Sequence, residues 1–185
     1  MDHYLDIRLR PDPEFAPTLL MNALFAKLHR ALSEQGRDDI GVSFPRAAPA
    51  AALGDTLRLH GGHAALQRLM AGDWLSGMRD HIALAAIQPV PPQAEAWQVR
   101  RKQAKTNPDK ERRRLVRRLG ISAEEAAQRF PDSAARRLTL PFLTLNSAST
   151  GQRYQLHIEQ RPAPATHSGR FNAFGLSPDA TVPWF

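Results

Sequence analysis

The 185-residue chain carries 25 Lys and Arg against 18 Asp and Glu, a formal charge of +7, with a calculated isoelectric point near 10.7, a balance that suits a polyanionic partner. It contains no cysteine, which excludes disulfides, thiolate metal sites and a cysteine nucleophile. No run approaches the ~18 apolar residues of a membrane span, and the charged start leaves no room for the apolar core of a signal peptide, so a cytoplasmic protein without membrane contact is expected.

In chain order, His3 to Arg10 alternates Tyr4, Leu5, Ile7 and Leu9 with polar neighbours, the period-two pattern of a half-buried strand, and Pro11 and Pro13 end it. Leu20, Leu24, Leu28 and Leu32 then recur every four residues, widened by Met21 and Phe25, which predicts a helix from Pro17 to about Gln35 closed by Gly36. Ile40 to Phe44 and Thr56 to His60 are short strand candidates. His63 to Met70 reads as a second helix, Trp74 to Met78 as a further turn and His81 to Ile87 as a last strand. The order βαββαβ is the ferredoxin-like pattern, two helices on one face of a four-stranded antiparallel sheet. Pro89, Pro91 and Pro92 form a stiff break, so the expected class is α+β with a ferredoxin-like domain over residues 1–92 and a smaller α+β domain over 93–185.

The second half opens on the densest charge in the protein. From Arg100 to Arg118 ten Lys or Arg face only Asp109 and Glu111, so this segment alone carries more than the net charge of the whole chain. Pro108 suits a first helical turn, Asp109 and Glu111 favour the positive end of the helix dipole, and Gly120 stops the helix. Leu115, Val116 and Leu119 gather on one face, with Lys110, Arg113, Arg114, Arg117 and Arg118 opposite and Arg112 breaking the pattern. A solvated basic helix usually interleaves acids at i,i+4; beyond Glu111 this one has none, which points to a polyanion. Ser122 and Glu125 form a capping box ahead of a short helix to Gln128. Phe142 to Leu145, Gln152 to Ile158 and Phe171 to Phe174 read as strands, with Gly151 turning between the first two.

Among candidates for chemistry, His29 stands four residues after Phe25 on the flank of the first helix's apolar stripe, where a ring edge can face a cleft and shift a proton at neutral pH. The same spacing also fits a boundary residue packing beside Phe25. His60 and His63 make an H-x-x-H pair across Gly61 and Gly62, but no carboxylate stands at a recognisable spacing, so neither a metal nor a cofactor is expected. Thr144 to Gly151 concentrates hydroxyls; Ser147 or Ser149 can orient a nucleophile or a phosphate, and such turns also bond their own backbone. Tyr154 can stack on a base or serve the core with Leu156 and Ile158.

The opening MDHYLDIRLRPDPEF, His29 within KLHRAL, IGVSFP, QAKTNP before the arginine helix, TLNSASTGQRY and the terminal VPWF together resemble one family: the CRISPR-associated endoribonuclease of the type I-F (Csy) system, which cuts precursor CRISPR RNA beside each repeat hairpin. The resemblance covers essentially the whole chain in motif order. It implies His29 as the catalytic histidine and Ser147 as the serine that holds the nucleophilic 2′-OH. It also implies Arg101 and Gln103 as a base-reading pair, Tyr154 as a stacking aromatic, and Lys105, Asn107, Lys110, Arg112, Arg113, Arg114, Arg117 and Arg118 on the RNA. The family carries a tyrosine in its C-terminal motif, whereas GRFNAFGLS places Phe174 there, so no phenolic hydroxyl carries over, only ring packing around the active site.

The implied chemistry is metal-independent: His29 removes the 2′-OH proton, Ser147 aligns the oxygen, and the products are a 2′,3′-cyclic phosphate and a 5′-OH. Arg and Gln suit bidentate reading of G and A, while the narrow A-form major groove confines the helix mainly to phosphates near the ends of a short stem. The resemblance further implies a protein that is monomeric when free, retains its product and joins other Cas proteins of the interference complex. The alternative is a hairpin-binding subunit with weak or no cleavage; a basic ribosomal or DNA-binding protein would leave His29 idle.

Overall fold

The computed structural model describes residues 1–48, 52–103, 108–131, 138–147 and 150–185. It is mixed α and β, with two sheets and, among the described residues, four α-helices. No helix among them is long and apolar enough to cross a membrane.

The first strand, β1 (His3–Leu9), buries Leu5, Ile7 and Leu9 and turns Asp6 and Arg8 outward, as its alternation requires. Helix α1 (Pro17–Gln35) places Pro17 in its first turn and buries Leu20, Met21, Leu24, Phe25, Leu28, Ala31 and Leu32; Gly36, left-handed at φ 60°, closes it by donating its N–H to Leu32 O. Then come β2 (Gly41–Ser43), β3 (Thr56–Gly61), α2 (His63–Ala71), β4 (Ile82–Leu84) and β5 (Gln88–Pro89). The order across the first sheet is β2-β3-β1-β4, with β5 also pairing β1, and every pairing is antiparallel. The strand expected over His81 to Ile87 is thus shortened to Ile82–Leu84, because Arg79–His81 is a 3-10 turn and the chain leaves the ladder after Leu84, and β5 begins only at Gln88, beyond the expected range.

The second sheet has the order β7-β8-β6-β9, from β6 (Glu95–Lys102), β7 (Phe142–Asn146), β8 (Arg153–Pro162) and β9 (Val182–Trp184). Strand β6 has no counterpart among the expected elements: its Arg100, Arg101 and Lys102 read as the start of the charge run, yet Gln98 and Val99 are buried and Arg100 pairs with Glu159 at 2.5 Å. The strand expected over Phe171 to Phe174 is instead a turn. Asn172 Oδ1 accepts the N–H groups of Phe174 and Leu176, and Gly175 adopts φ 68°, a left-handed conformation outside the extended range. The last ladder position belongs to Val182 to Trp184.

The chain forms two compact units, residues 1–101 with 140–185, and residues 102–139. Pro89 to Pro92 lie inside the larger one, because Val99, Leu143, Leu156, Ile158, Phe171 and Val182 share a single buried core with Leu5, Leu28 and Leu59. Gly41 lets β2 approach that core closely, since a Cβ there would stand 2.7 Å from Phe171 Cε1. Arg58 closes the unit at its termini. Its guanidinium holds both carboxylate oxygens of Asp6 at 2.7 and 2.9 Å, donates to Phe185 O at 3.2 Å, and lies over the rings of Tyr4 and Phe185.

The smaller unit contains α3 (Pro108–Leu119) and α4 (Ala123–Arg129). Helix α3 buries no residue; Val116 and Leu119 are 37% and 46% exposed, since two short helices cannot cover the apolar face that the sequence draws. Arg112, out of pattern in the sequence, donates from Nε to Phe130 O at 2.8 Å and so ties α3 to the end of α4. Ser122 Oγ accepts Glu125 N–H at 3.0 Å, one half of the expected capping box, while the Glu125 carboxylate turns to Arg129.

Candidate active site

The apolar stripe of α1 leaves His29 half-buried at its edge, one residue beyond the buried Leu28. Two residues of the C-terminal turn fix its ring. Nδ1 lies 2.7 Å from the carbonyl oxygen of Ala173, and the imidazole stacks on Phe174 with centroids 3.9 Å apart and planes 10° apart. Phe174 in turn lies parallel to Phe25 at 6.4 Å. A carbonyl only accepts, so Nδ1 carries the hydrogen and, in the neutral ring, Nε2 keeps the lone pair. That is the form in which an imidazole takes a proton.

His29 lines an open cleft of about 560 Å³ together with Asn22, Arg30, Asn146, Arg153 and Tyr154. The cleft lies between α1 and the second sheet, which Asn22 joins by accepting Thr144 N–H on its side-chain oxygen at 3.0 Å. Ser147 follows the rim residue Asn146 and starts the turn back to β8: its N–H donates to Gln152 O, and its Oγ accepts Thr150 N–H at 3.3 Å. Tyr154 is half-buried: it packs against the core and also lines the cleft. Ser149, with Lys105 and Asn107, falls outside the described residues.

Arg30 and Arg153 escaped the sequence reading. In the larger unit Arg8, Arg37, Arg46, Arg58, Arg68, Arg79, Arg100 and Arg170 each pair with a carboxylate. Arg30 and Arg153 have no such partner among the described residues, and both face the cleft that holds His29. Adjacency to His29 and to Tyr154 in the sequence was the only available signal. A second cleft, about 610 Å³, is walled by Asp2, Asp39 and Glu95 beside His167 and Pro91; three carboxylates repel phosphates, so the smaller cleft is the one suited to a polyanion.

His60 and His63 do not form a metal pair. The His60 ring is fully buried, its Nε2 2.8 Å from Ser43 Oγ, whereas His63 meets His3 edge to face at 5.0 Å. Burial, with the Arg58 cation nearby, pushes the His60 pKa down to about 3, so the ring is neutral.

Of the basic residues, Arg101 stands exposed on β6, and Gln103 is exposed just after it. On α3, Arg113 donates to Asp109 O at 3.2 Å, Arg114 reaches Glu111 only at 3.9 Å, and Arg117 and Arg118 are exposed in the last turn, where cations favour the helix dipole. Lys110, Arg113, Arg114 and Arg117 line one concave patch.

Residues 4–185 match the family described as CRISPR-associated protein (Cas_Csy4). The chain is 52% identical, over the full length of both, to the CRISPR-associated endonuclease Cas6/Csy4 of Pseudomonas aeruginosa (strain UCBPP-PA14). It is 44% identical, again over the full length of both, to the protein of the same name from Escherichia coli (strain UTI89 / UPEC).

Proposed function

Because the chain belongs to the Csy4 family of CRISPR-associated proteins, we propose that it is the endoribonuclease that cuts precursor CRISPR RNA beside the repeat hairpin. The observation that carries the reading is the Nδ1–H of His29 given to Ala173 O, which leaves Nε2 as the acceptor in a cleft that also presents Arg30 and Arg153. RNA supplies its own nucleophile. His29 takes the 2′-OH proton, Ser147 holds that oxygen in line, and the next nucleotide leaves through its 5′-oxygen, giving a 2′,3′-cyclic phosphate without a metal or cofactor.

Arg113, Arg114, Arg117 and Arg118, with Lys110, bind hairpin phosphates, joined by Lys105 and Asn107; Arg112 contributes mainly by bracing α3 on Phe130. Arg101 and Gln103 read a G and an A on their major-groove edges, and Tyr154 stacks on a base at the cleft. The sheet order β2-β3-β1-β4 with α1 and α2 supports a ferredoxin-like arrangement for residues 1–92, with the RNA-binding elements drawn mostly from 93–185. The protein acts in the cytoplasm, is monomeric when free, keeps the cut hairpin and carries it to other Cas proteins of the interference complex.

A second reading rests on Phe174, where the family carries a tyrosine: the protein holds the hairpin and cuts it weakly or not at all. Incubation with its own repeat RNA in EDTA, followed by separation of the products, decides between them. One cut beside the hairpin, with a cyclic phosphate end, is expected; a hairpin bound but intact after long incubation establishes the binding subunit instead.

A further inference from the structure

Two features orient His29, the Ala173 carbonyl on Nδ1 and the Phe174 ring on its face, and both come from consecutive residues of one turn. That turn is organised by the residue just before them. Asn172 Oδ1 accepts Phe174 N–H at 2.8 Å and Leu176 N–H at 3.2 Å, while the Asn172 backbone closes the same loop through its N–H to Leu176 O at 2.9 Å and its carbonyl to Gly175 N–H at 2.8 Å. A side-chain oxygen that collects two loop amides two residues apart in this way holds the Ala173–Phe174 peptide against rotation.

We propose that Asn172 is a positioning residue for His29: its side-chain oxygen sets the turn so that Ala173 O selects the Nδ1–H tautomer and Phe174 holds the imidazole plane. The proposal rests on the reading of His29 as the proton acceptor. Asn172 is itself exposed and does not line the cleft, so it acts through its two neighbours. The ends of the turn are anchored independently, by Phe171 N–H on Asp38 O at 3.0 Å and by Val42 N–H on Gly175 O at 3.0 Å. Gly175 is further pinned at φ 68°, where a Cβ would stand 2.6 Å from Val42 Cγ1. Loss of the Asn172 oxygen therefore leaves the segment docked on β2 and the loop still closed by the Asn172 backbone, and releases only the Phe174 and Leu176 N–H groups, the first of which shares a peptide with the Ala173 carbonyl. A neutral imidazole released from the carbonyl takes up the Nε2–H tautomer as well, which has no lone pair on the cleft nitrogen.

The test uses the full chain and its own repeat hairpin. At saturating protein, Asn172→Ala should cleave about 10- to 100-fold more slowly, the range that follows from misplacing a catalytic group, while its Kd for a hairpin with a 2′-deoxy block at the cut changes by less than about twofold, since no phosphate contact is lost. Asn172→Asp, which keeps an acceptor oxygen, should stay within about threefold of the parent rate. Imidazole ¹⁵N spectra should show the Nδ1–H tautomer at His29 in the parent and in Asn172→Asp, and a mixture in Asn172→Ala, a signature that a merely structural residue would not move. Parent-like cleavage by Asn172→Ala, or an unchanged tautomer, overturns the proposal. If Asn172→Ala does not fold, Asn172→Asp decides alone: a loss of about tenfold or more at unchanged Kd overturns it. A His29→Ala control separates the two levels. If that variant cleaves normally the reading of His29 fails; if it is inert while Asn172→Ala is normal, only the role of Asn172 fails.

Discussion

The imidazole of His29 lies flat on the phenyl ring of Phe174, centroids 3.9 Å apart and planes within 10°. The para position of that ring is where the family's tyrosine would carry its hydroxyl. Because the tautomer of His29 is set by Ala173 O and its plane by the ring itself, neither depends on a phenol. Phe174→Tyr should leave RNA affinity unchanged and alter single-turnover cleavage by less than about tenfold, or about 1.4 kcal/mol. A hundredfold rise would make the missing hydroxyl catalytic and the natural protein chiefly a hairpin-binding subunit.

His29→Ala should abolish cleavage and leave hairpin binding nearly intact, because one side chain off the basic helix contributes little to phosphate neutralisation. Cleavage and filter binding on one preparation test both halves. Near-normal cutting by the variant would remove His29 from the mechanism.

Arg114, Arg117 and Arg118 should each, when replaced by Ala, weaken binding about equally for cognate and altered hairpins and reduce the slope of log K against log salt by about 0.7 to 0.9. Arg101→Ala should instead cost about 1 to 3 kcal/mol on the cognate repeat and relax discrimination at one base pair. Equal losses on cognate and mutated stems would reduce Arg101 to a phosphate contact.

The fold should be acid-labile through His60. Its pKa is pushed down to about 3 by burial and the Arg58 charge, while an unfolded histidine titrates near its ordinary 6.5. Between those values the unfolded chain binds a proton that the folded chain refuses, so stability falls as pH drops below about 6.5 and the loss is complete near 3. His60→Leu should therefore lose about 2 to 3 kcal/mol less stability than the parent between pH 7 and pH 4.5 in urea unfolding. Parallel pH dependences in the two proteins would assign the lability to other groups.

Arg58→Met leaves the Asp6 carboxylate without its bidentate partner and removes the cation between Tyr4 and Phe185. A loss of about 3 kcal/mol is expected, as for breaking a largely buried pair. Thermal unfolding measures it, and a change below about 1 kcal/mol would show a pair screened as surface pairs are.

Much of this was legible in the chain. The four-residue repeat of Leu20 to Leu32 places α1 from Pro17 to Gln35 with Gly36 as its stop, and the alternation of Leu5, Ile7 and Leu9 places β1. Strand β6 stayed hidden because its charged residues mask a strand whose buried members are Gln98 and Val99. The turn at Asn172 reads as a strand in the sequence because Phe171 and Phe174 are apolar, while the side-chain oxygen that bends the backbone between them leaves no trace in hydropathy.

By itself the sequence determined what depends on neighbours a few residues apart: the periodicity of the helices, the Ser122 cap, the concentration of cations from Arg100 to Arg118, and His29 at the margin of an apolar stripe. Only the tertiary structure decided which contacts act on those residues. The proton on His29 is directed by a carbonyl 144 residues away, Arg58 is held by Asp6 and by the last residue of the chain, and Arg30 and Arg153 meet in one cleft from separate elements. The physical reason is that burial patterns are local and repeat along the chain, whereas a hydrogen bond or an unpaired charge is defined by whatever distant segment the packed core brings against it.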